Sequence, residues 1–197
     1  MRPTLLKEDY QIFKNKYEGI SGLSLPLEYL ETSDVYVFRK AKKIIGGFIL
    51  GKKLPLRTVD IFISELNKEK FKHFFSSDKC CEVCCFWIDR KYRRSAFFNA
   101  KFWIKMANTV KRQEKEFILY GTNSKGLAKM YGYPKNSALI HKDKMDYRDT
   151  FTFLARRIDF ASGVWEIVKS KLLHQNRNSD IEAKNELKKT LIYEISR

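Results

Sequence analysis

A glutamate inside an apolar run is the first residue whose type and position could do chemistry. Glu82 lies in CEVCCFWI, residues 81–88, where its neighbours are all apolar. Because burying an unpaired carboxylate is costly, we expect the pKa of Glu82 to be raised. A raised carboxyl suits a general base that takes a proton from an amine, directly or through a water. The alternative is a structural glutamate that faces Lys or Arg across a sheet, or one at an exposed strand end.

Two other residues near predicted strand ends could handle a proton. His141 ends the run ALIH and is an alternative base, because neutral imidazole works near pH 7. The competing interpretation is a partly exposed histidine at a strand end. Asp89 follows the apolar run and is typical of a turn or cap residue. His73 and His174 are isolated in the sequence, and no role is predicted for them.

The four cysteines, Cys80, Cys81, Cys84 and Cys85, all lie within one short stretch, unlike a disulfide framework. On a strand, Cys80 and Cys84 share one face and Cys81 and Cys85 the other, and residues four apart are separated by ~13 Å, so these thiols cannot converge on one zinc ion. No metal site is predicted, and small buried hydrophobic residues are the favoured interpretation. A catalytic thiol at Cys85 is the alternative, although no histidine lies near it in the sequence.

The charge of the chain is strongly positive and unevenly spread. Its 39 Lys and Arg residues outnumber 23 Asp and Glu residues, giving a formal net charge of +16, which attracts polyanions or acidic surfaces. Residues 91–146 hold 13 basic and four acidic residues, and Arg90, Lys91, Arg93 and Arg94 crowd one turn. We expect this turn to attract anionic groups of a ligand. The alternative is an ordinary solvated basic surface.

The overall composition favours one folded domain spanning residues 1–197. The chain is 44% hydrophobic and 14% aromatic, which is enough to bury a sizeable core. Residues 1–11 lack the apolar core of a signal peptide, and no apolar run approaches the roughly 20 residues that span a bilayer. These features predict a cytoplasmic protein without a transmembrane segment.

Hydrophobic patterning predicts alternating strands and helices. The predicted strands cover residues 34–40 and 44–51, which flank a short basic turn and form a hairpin, and residues 81–88, 117–120 and 138–141. The predicted helices cover residues 5–17, 64–75, 97–112 and 125–131. This order indicates an α/β (α+β) fold, a central mixed sheet with at least one parallel pair, flanked by helices.

The core is expected to cover about residues 5–146, followed by a helical C-terminal extension over 147–197. Residues 151–158 carry both helical and alternating spacing, so their assignment stays open between helix and strand. Ser179 and Asp180 are predicted to cap a final helix. Three roles stay open for the extension: completing the sheet, covering a substrate cleft, or forming a homodimer contact.

The stretch from Cys81 to Tyr133 resembles the GNAT superfamily of acyltransferases, in which a central strand leads into a pyrophosphate-binding turn and a long helix. The turn of that family is written Q/R-x-x-G-x-G/A. It corresponds here to Arg93, Arg94, Ser95, Ala96, Phe97 and Phe98. The resemblance implies that backbone N–H groups of this turn grip the diphosphate of coenzyme A.

The same resemblance implies roles for residues on either side of the turn. Asn123 would contact the pantetheine arm or the pyrophosphate, and Tyr131 would protonate the leaving thiolate. Backbone groups of Phe86, Trp87 and Ile88 would hold the pantetheine amide and polarise the thioester carbonyl. Together these residues would form the donor half of an acyltransferase site.

A second resemblance is to acyl-homoserine-lactone synthases and N-acyl amino acid synthases. These proteins insert a helical stretch before the central strand, as residues 54–77 would here, and that strand often reads W-E-L-S-R-F. Glu82 and Phe86 match this pattern, and Cys85 stands where the branch has arginine. Members take acyl groups from an acyl carrier protein, whose phosphopantetheine lacks the adenosine diphosphate of coenzyme A. Phe98, where the turn has its last glycine, favours such a donor.

The predicted function is therefore acyl transfer. An acetyl or longer acyl group would pass from acyl-CoA or an acidic acyl carrier protein to an amine by direct attack on the thioester, without a metal. Glu82 would be the base and Tyr131 the acid. Two alternatives stay open: a non-catalytic GNAT-like module that binds a polyanion or a protein, and a basic nucleic-acid-binding protein.

Overall fold

Helices and strands alternate along most of the chain in the computed structural model, which describes residues 7–65, 68–69, 72, 79–131, 137–145 and 148–175. The helices are α1 Lys7–Ser21, α2 Leu27–Thr32, α3 Arg57–Phe62, α4 Ala96–Lys111, α5 Lys125–Tyr131 and α6 Arg157–Gln175. The strands are β1 Asp34–Lys40, β2 Lys43–Gly51, β3 Cys80–Ile88, β4 Phe117–Thr122, β5 Ser137–Met145 and β6 Arg148–Arg156. The helix predicted from residue 64 to 75 lies mostly outside the described residues.

The six strands form one mixed sheet in the order β1-β2-β3-β4-β6-β5. Strands β3 and β4 are parallel, and all other neighbours are antiparallel. A parallel pair needs a long crossover, and α4 supplies it between β3 and β4. The predicted β1–β2 hairpin and the mixed sheet flanked by helices are therefore confirmed.

The C-terminal part of the sheet corrects one predicted boundary. The sequence predicts a helical extension from residue 147, but residues 148–156 form β6, which pairs with β4 and β5. Phe153 and Leu154 are both buried although they are adjacent, so β6 is covered on both faces. Of the three roles left open for the extension, completing the sheet is confirmed. The final helix predicted from Ser179 and Asp180 lies outside the described residues.

Helix α4 lies at the centre of the main core, as its apolar residues on nearly all sides predict. Phe102, Met106 and Ala107 are fully buried there against the sheet and α6. No helix within the described ranges is both long enough and apolar enough to cross a membrane.

A bulge in β3 ends the pairing between β3 and β4. Their parallel register stops at Val83 and Tyr120. Beyond that point two residues of β3, Cys85 and Phe86, lie opposite a single residue of β2. Cys85 has a left-handed backbone with φ 51°, which is typical of a bulge. The sheet is therefore open between the last residues of β3 and β4.

The bulge also changes which face of the sheet the cysteines occupy. Cys81 and Val83 pack in the main core on the α4 side. Cys84 and Cys85 both pack with Phe13 of α1 on the other side. In an uninterrupted strand Cys84 and Cys85 would point to opposite faces, as the sequence predicts. The left-handed residue corrects that prediction, because it brings both thiols to the α1 side.

Candidate functional site

A cavity of about 440 Å³ lies where β3 and β4 separate. One wall is the bulged end of β3, from Cys84 to Ile88, and the opposite wall runs from Gly121 to Ser124 at the end of β4. Residues of α1, α3, α4 and α5 close the remaining sides. The open edge of the sheet thus becomes the floor of a pocket large enough for a small ligand.

Five of the predicted donor-binding residues are brought together at this cavity. They are Phe86, Trp87, Ile88, Arg93 and Asn123. Phe86, Trp87 and Ile88 lie on β3 beyond the last residue paired with β4, and Asn123 faces them from across the split. Their binding roles stay predictions, but the geometry needed for those roles is present.

The start of α4 departs from the pyrophosphate turn that the sequence resembles. The Ser95 hydroxyl caps the helix and accepts a hydrogen bond from the Phe98 amide at 3.2 Å, so this N–H already has a partner. The Phe98 ring packs between Phe38, at 5.8 Å, and Tyr92, at 5.5 Å between ring centres. The remaining residues predicted for this turn lie outside the described cavity lining: Arg94, Ala96 and Phe97.

The turn between β3 and α4 is ordered by its own hydrogen bonds. The Asp89 carboxylate accepts from the Lys91 amide at 3.2 Å, which confirms Asp89 as a turn residue. Arg93 Nε donates to the Ile88 carbonyl at 2.8 Å. The Lys40 ammonium, from the β1–β2 hairpin, lies 5.6 Å from the centre of the Tyr92 ring. The basic ends of the hairpin and of this turn are therefore neighbours on one surface.

The Glu82 carboxylate is fully buried and accepts three hydrogen bonds. Oε1 accepts from the Tyr29 hydroxyl at 2.7 Å and the Arg57 amide at 2.6 Å, and Oε2 accepts from the Thr58 amide at 2.7 Å. The two amides belong to the first turn of α3, whose free N–H groups attract a carboxylate. A Cβ at Gly51 would lie 2.9 Å from Oε1, so only glycine leaves room for this carboxylate on β2.

These contacts favour the structural alternative for Glu82, although its partners are backbone amides and a tyrosine hydroxyl rather than the charged Lys or Arg side chains that the sequence suggested. Glu82 is 0% exposed and is not part of the described cavity lining, whereas its partners Arg57 and Thr58 are. The carboxylate therefore holds the start of α3 against the cavity. The role of Glu82 as a general base stays a prediction.

We expect Glu82 to make stability depend on pH. Burial raises the pKa of Glu82, and the hydrogen bonds from Thr58, Tyr29 and Arg57 oppose that shift. Between the ordinary carboxyl pKa and the raised one, the folded chain holds a proton that the unfolded chain has lost. Unfolding then takes up no proton but releases one, so the free energy of unfolding should fall as pH rises through this interval.

Urea unfolding at a series of pH values measures how the free energy of unfolding changes with pH, and Glu82→Gln should remove the contribution of this carboxyl group. An equal slope in the variant would contradict it.

Tyr131 lies in the aromatic core behind the cavity. Its ring contacts Tyr120 at 5.0 Å, Phe153 at 5.8 Å, and both Phe86 and Trp103 at 6.4 Å between ring centres. Burial raises the pKa of Tyr131, so the hydroxyl keeps its proton. Phe86 and Trp103 line the cavity, which places Tyr131 one layer of side chains away from it. Its role as the acid stays a prediction.

His141 lies neither in the described cavity lining nor beside Glu82. Strand β5 continues to Met145, so His141 lies within the strand and is buried, whereas the sequence predicts a strand end. Its Nε2 atom is 3.5 Å from a carboxylate oxygen of Asp143. Strands β4 and β6 separate β5 from β3 in the sheet. The alternative base role of His141 stays a prediction that this placement does not favour.

Two residues that the sequence does not single out for chemistry lie in the cavity wall beside Cys85. Tyr17 comes from α1 and Arg57 from the first turn of α3. The Arg57 guanidinium donates to the Ser24 carbonyl and lies close to Cys85 in the same wall. Nothing in the spacing of these residues reveals that they meet, because three separate elements supply them.

Charge in the cavity wall is positive. The described lining contains Arg57 and Arg93 but no Asp, Glu or His. Among the described residues, no group of three or more His, Cys, Asp or Glu side chains could hold a metal ion. The lining therefore favours an anionic or neutral ligand over a cationic one.

Comparison with solved structures finds similar folds. FeeM, an N-acyl amino acid synthase from uncultured soil microbes, matches with a TM-score of 0.58 over 80% of this chain and 94% of its own, at 13% identity. The CoA-dependent acyl-homoserine lactone synthase BjaI, solved with SAM and isopentyl-CoA, matches with a TM-score of 0.59 over 82% of this chain and 83% of its own, at 12% identity. MesI, another CoA-dependent acyl-homoserine lactone synthase, matches with a TM-score of 0.56 over 84% of this chain and 93% of its own, at 10% identity. The sequence itself matches no protein-family model and no curated protein.

At identities of 10–13% these likenesses speak for the fold, and they cover most of both chains. The matches agree with two features described above. One is the mixed sheet, whose parallel strands β3 and β4 separate beyond the bulge. The other is the long buried helix α4, which follows the bulged strand. The chain has a GNAT-like fold.

Proposed function

We propose that the chain is an acyltransferase that moves an acetyl or longer acyl group from a pantetheine thioester to an amine. One observation carries this proposal: the cavity lies in the opening between two parallel strands, with the part of β3 that no longer pairs with β4 along one wall. An extended amide-bearing chain can enter such an opening and hydrogen-bond to the strand edge. The pantetheine arm, with two amides in an otherwise flexible chain, has this chemistry.

In this proposal the donor lies along the end of β3. Backbone groups of Phe86, Trp87 and Ile88 bind the pantetheine amide, and Asn123 contacts the arm from the β4 side. Backbone N–H groups beside the bulge polarise the thioester carbonyl, because fixed dipoles stabilise the charge that develops on its oxygen. The acyl group then points toward the part of the cavity formed by α1 and α3.

An acyl carrier protein is the favoured form of the donor. In the turn that would receive the diphosphate of coenzyme A, Phe98 stands where the family has its last glycine, and its amide already donates to the Ser95 hydroxyl. Phosphopantetheine on a carrier protein carries only one phosphate. The adjacent basic turns, at residues 39–43 and 90–94, offer an acidic carrier protein a docking surface. Acyl-CoA stays the second donor candidate.

Glu82 contributes to this proposal as a positioning residue. Its carboxylate accepts from the amides of Arg57 and Thr58, and both residues line the cavity. Glu82 is also predicted to act as the base and Tyr131 as the acid. Because neither residue is part of the described cavity lining, each role would require proton transfer across one layer of side chains. The Glu82→Gln variant separates positioning from base catalysis.

Arg93→Gln should weaken binding of a phosphopantetheine donor by roughly tenfold, or about 1.4 kcal/mol, because a charged partner of the phosphate is lost. Isothermal titration with acyl-CoA and with loaded acyl carrier protein measures the effect. Lys105→Gln is the matched control, since it removes one positive charge from the exposed face of α4, outside the cavity lining. Equal effects of the two substitutions would show that net charge alone matters.

Turnover tests the proposed function itself. The full chain is incubated with acetyl-CoA, a long-chain acyl-CoA or acyl carrier protein, together with a panel of amines, and N-acyl products are measured by mass spectrometry. We expect an amide product with at least one donor. Salt-sensitive binding to oligonucleotides, with no binding of any pantetheine thioester, would contradict the proposal and favour the nucleic-acid alternative.

A further inference from the structure

A cluster of reactive side chains lies on the α1 side of the cavity. Cys85 occupies the bulge of β3, and Tyr17 and Arg57 approach it from α1 and α3. The Arg57 guanidinium donates a hydrogen bond to the Ser24 carbonyl, which fixes its position close to Cys85. The thiol of Cys85 therefore lies next to a fixed positive charge in the cavity wall, which attracts anionic parts of a donor.

The bulge gives the thiol a position that a regular strand would not. Cys85 is the residue with φ 51°, a backbone conformation that is unfavourable for a side chain with a Cβ. This conformation turns the side chain to the α1 face and into the cavity wall, directly after the last residue of β3 that pairs with β4. In the proposed donor mode, the thioester carbonyl reaches this same point.

The other titratable groups of the lining do not suit a base or a nucleophile. Arg57 and Arg93 are cations. Burial raises the pKa of Tyr17 and of Cys84, so both keep their protons. The described lining contains no carboxylate and no imidazole, and Glu82 is already saturated by three donors behind the wall. Cys85 is the remaining titratable group in the described lining, and a thiol is a stronger nucleophile than the Ser and Thr hydroxyls that also line the cavity.

We propose that Cys85 accepts the acyl group from the donor before the amine does, so that transfer runs through an acyl-enzyme rather than by direct attack. This inference rests on the proposed function. The Cys85 sulfur forms a bond to the thioester carbonyl carbon, the bond from that carbon to the pantetheine sulfur breaks, and the pantetheine thiol leaves with the proton from Cys85. One thioester replaces another, so no oxidant or reductant is needed.

The second half of the reaction returns the enzyme to its starting state. The amine nitrogen forms a bond to the acyl carbon, the bond from that carbon to the Cys85 sulfur breaks, and the departing sulfur takes a proton from the nitrogen. The products are an amide and the free Cys85 thiol. In this two-step reaction the sulfur itself takes the proton from the amine. The relay therefore agrees with a cavity whose described lining contains no carboxylate or histidine that could act as a base.

Mass spectrometry of the intact chain tests the relay without knowledge of the acceptor. The full chain is incubated with excess acetyl-CoA, a long-chain acyl-CoA or loaded acyl carrier protein, and no amine. We expect one acyl group per chain, located at Cys85 by fragmentation, removed by neutral hydroxylamine, and matched by an equal amount of released donor thiol. Cys85→Ala should lose the adduct completely. Cys80→Ala should keep it, because Cys80 is also buried on β3 but lies outside the cavity lining.

Binding of a donor analogue separates failure of the relay from failure of the proposed function. A thioether analogue of acyl-CoA cannot transfer its acyl group but should bind, and its effect on melting temperature also shows that Cys85→Ala is folded. If the analogue binds and the wild-type chain forms no adduct, or if Cys85→Ala makes amide product at the wild-type rate, the relay is wrong and the proposed function stands. If neither the analogue nor loaded carrier protein binds, both are wrong.

Discussion

Replacing Glu82 with glutamine is expected to lower the free energy of unfolding by about 1–3 kcal/mol, because it leaves a buried backbone N–H facing another donor. Oε1 accepts from the Arg57 amide and Oε2 from the Thr58 amide. The side-chain NH2 of glutamine would replace one of these oxygens, and it would then face a backbone N–H that it cannot accept from. A protonated carboxyl avoids this conflict, since it can donate to the Tyr29 oxygen and still accept from both amides. Urea unfolding near neutral pH measures the difference.

Tyr29→Phe is the matched control for this prediction. It removes one hydrogen-bond donor from the same carboxylate but leaves both α3 amides paired, so we expect a smaller loss of stability than for Glu82→Gln. Catalysis separates the two roles of Glu82. A positioning residue predicts that folded Glu82→Gln retains measurable turnover. A variant with wild-type stability, intact donor binding and no turnover would instead identify Glu82 as the base.

Gly47→Ala is expected to destabilise the fold by about 1–3 kcal/mol, because the added methyl group has no space. A Cβ at Gly47 would lie 2.4 Å from the Tyr36 carbonyl oxygen and 2.7 Å from the Phe13 ring. The oxygen belongs to the neighbouring strand and cannot move without breaking the β1–β2 ladder. Because Gly47 pairs with Trp87 beside the bulge, the substitution should also weaken donor binding.

Gly19→Ala controls for the general effect of replacing a glycine. Within the described part of the chain, no atom apart from the adjacent residues and the nearby backbone of α1 lies within 4 Å of a Cβ built at Gly19, so alanine should stabilise the helix there by about 0.5–1 kcal/mol. Thermal or urea unfolding of the two variants should therefore give shifts of opposite sign. Shifts of the same sign would contradict the packing described around Gly47.

Much of the fold can be predicted from the sequence because burial leaves clear patterns. The run from Cys81 to Ile88 is apolar on both faces, which is typical of a central strand, and β3 occupies the third of six positions in the sheet. The assignment of residues 151–158 stays open for a physical reason. Strand β6 ends at Arg156 and α6 begins at Arg157 without a linker, so the alternating spacing of a strand and the spacing of a helix are both present in residues 151–158.

The candidate site is less predictable, because its geometry depends on contacts between distant elements. The bulge has no glycine to mark it, and without the left-handed Cys85 the strand pattern assigns this thiol to the wrong face. The partners of Glu82 come from α2 and α3, far away in the sequence. The donor wall could be predicted, since Phe86, Trp87 and Ile88 follow one another on a single strand.

Amide hydrogen exchange with and without a bound pantetheine donor tests the central claim most directly. Acyl-CoA or loaded acyl carrier protein is added to the full chain, and protection is measured at each backbone amide. We predict added protection at residues 84–88 of β3 and 121–124 after β4, the two walls of the open sheet. Protection confined to other parts of the chain, or none with either donor at saturating concentration, would contradict the proposal that this opening binds a pantetheine thioester.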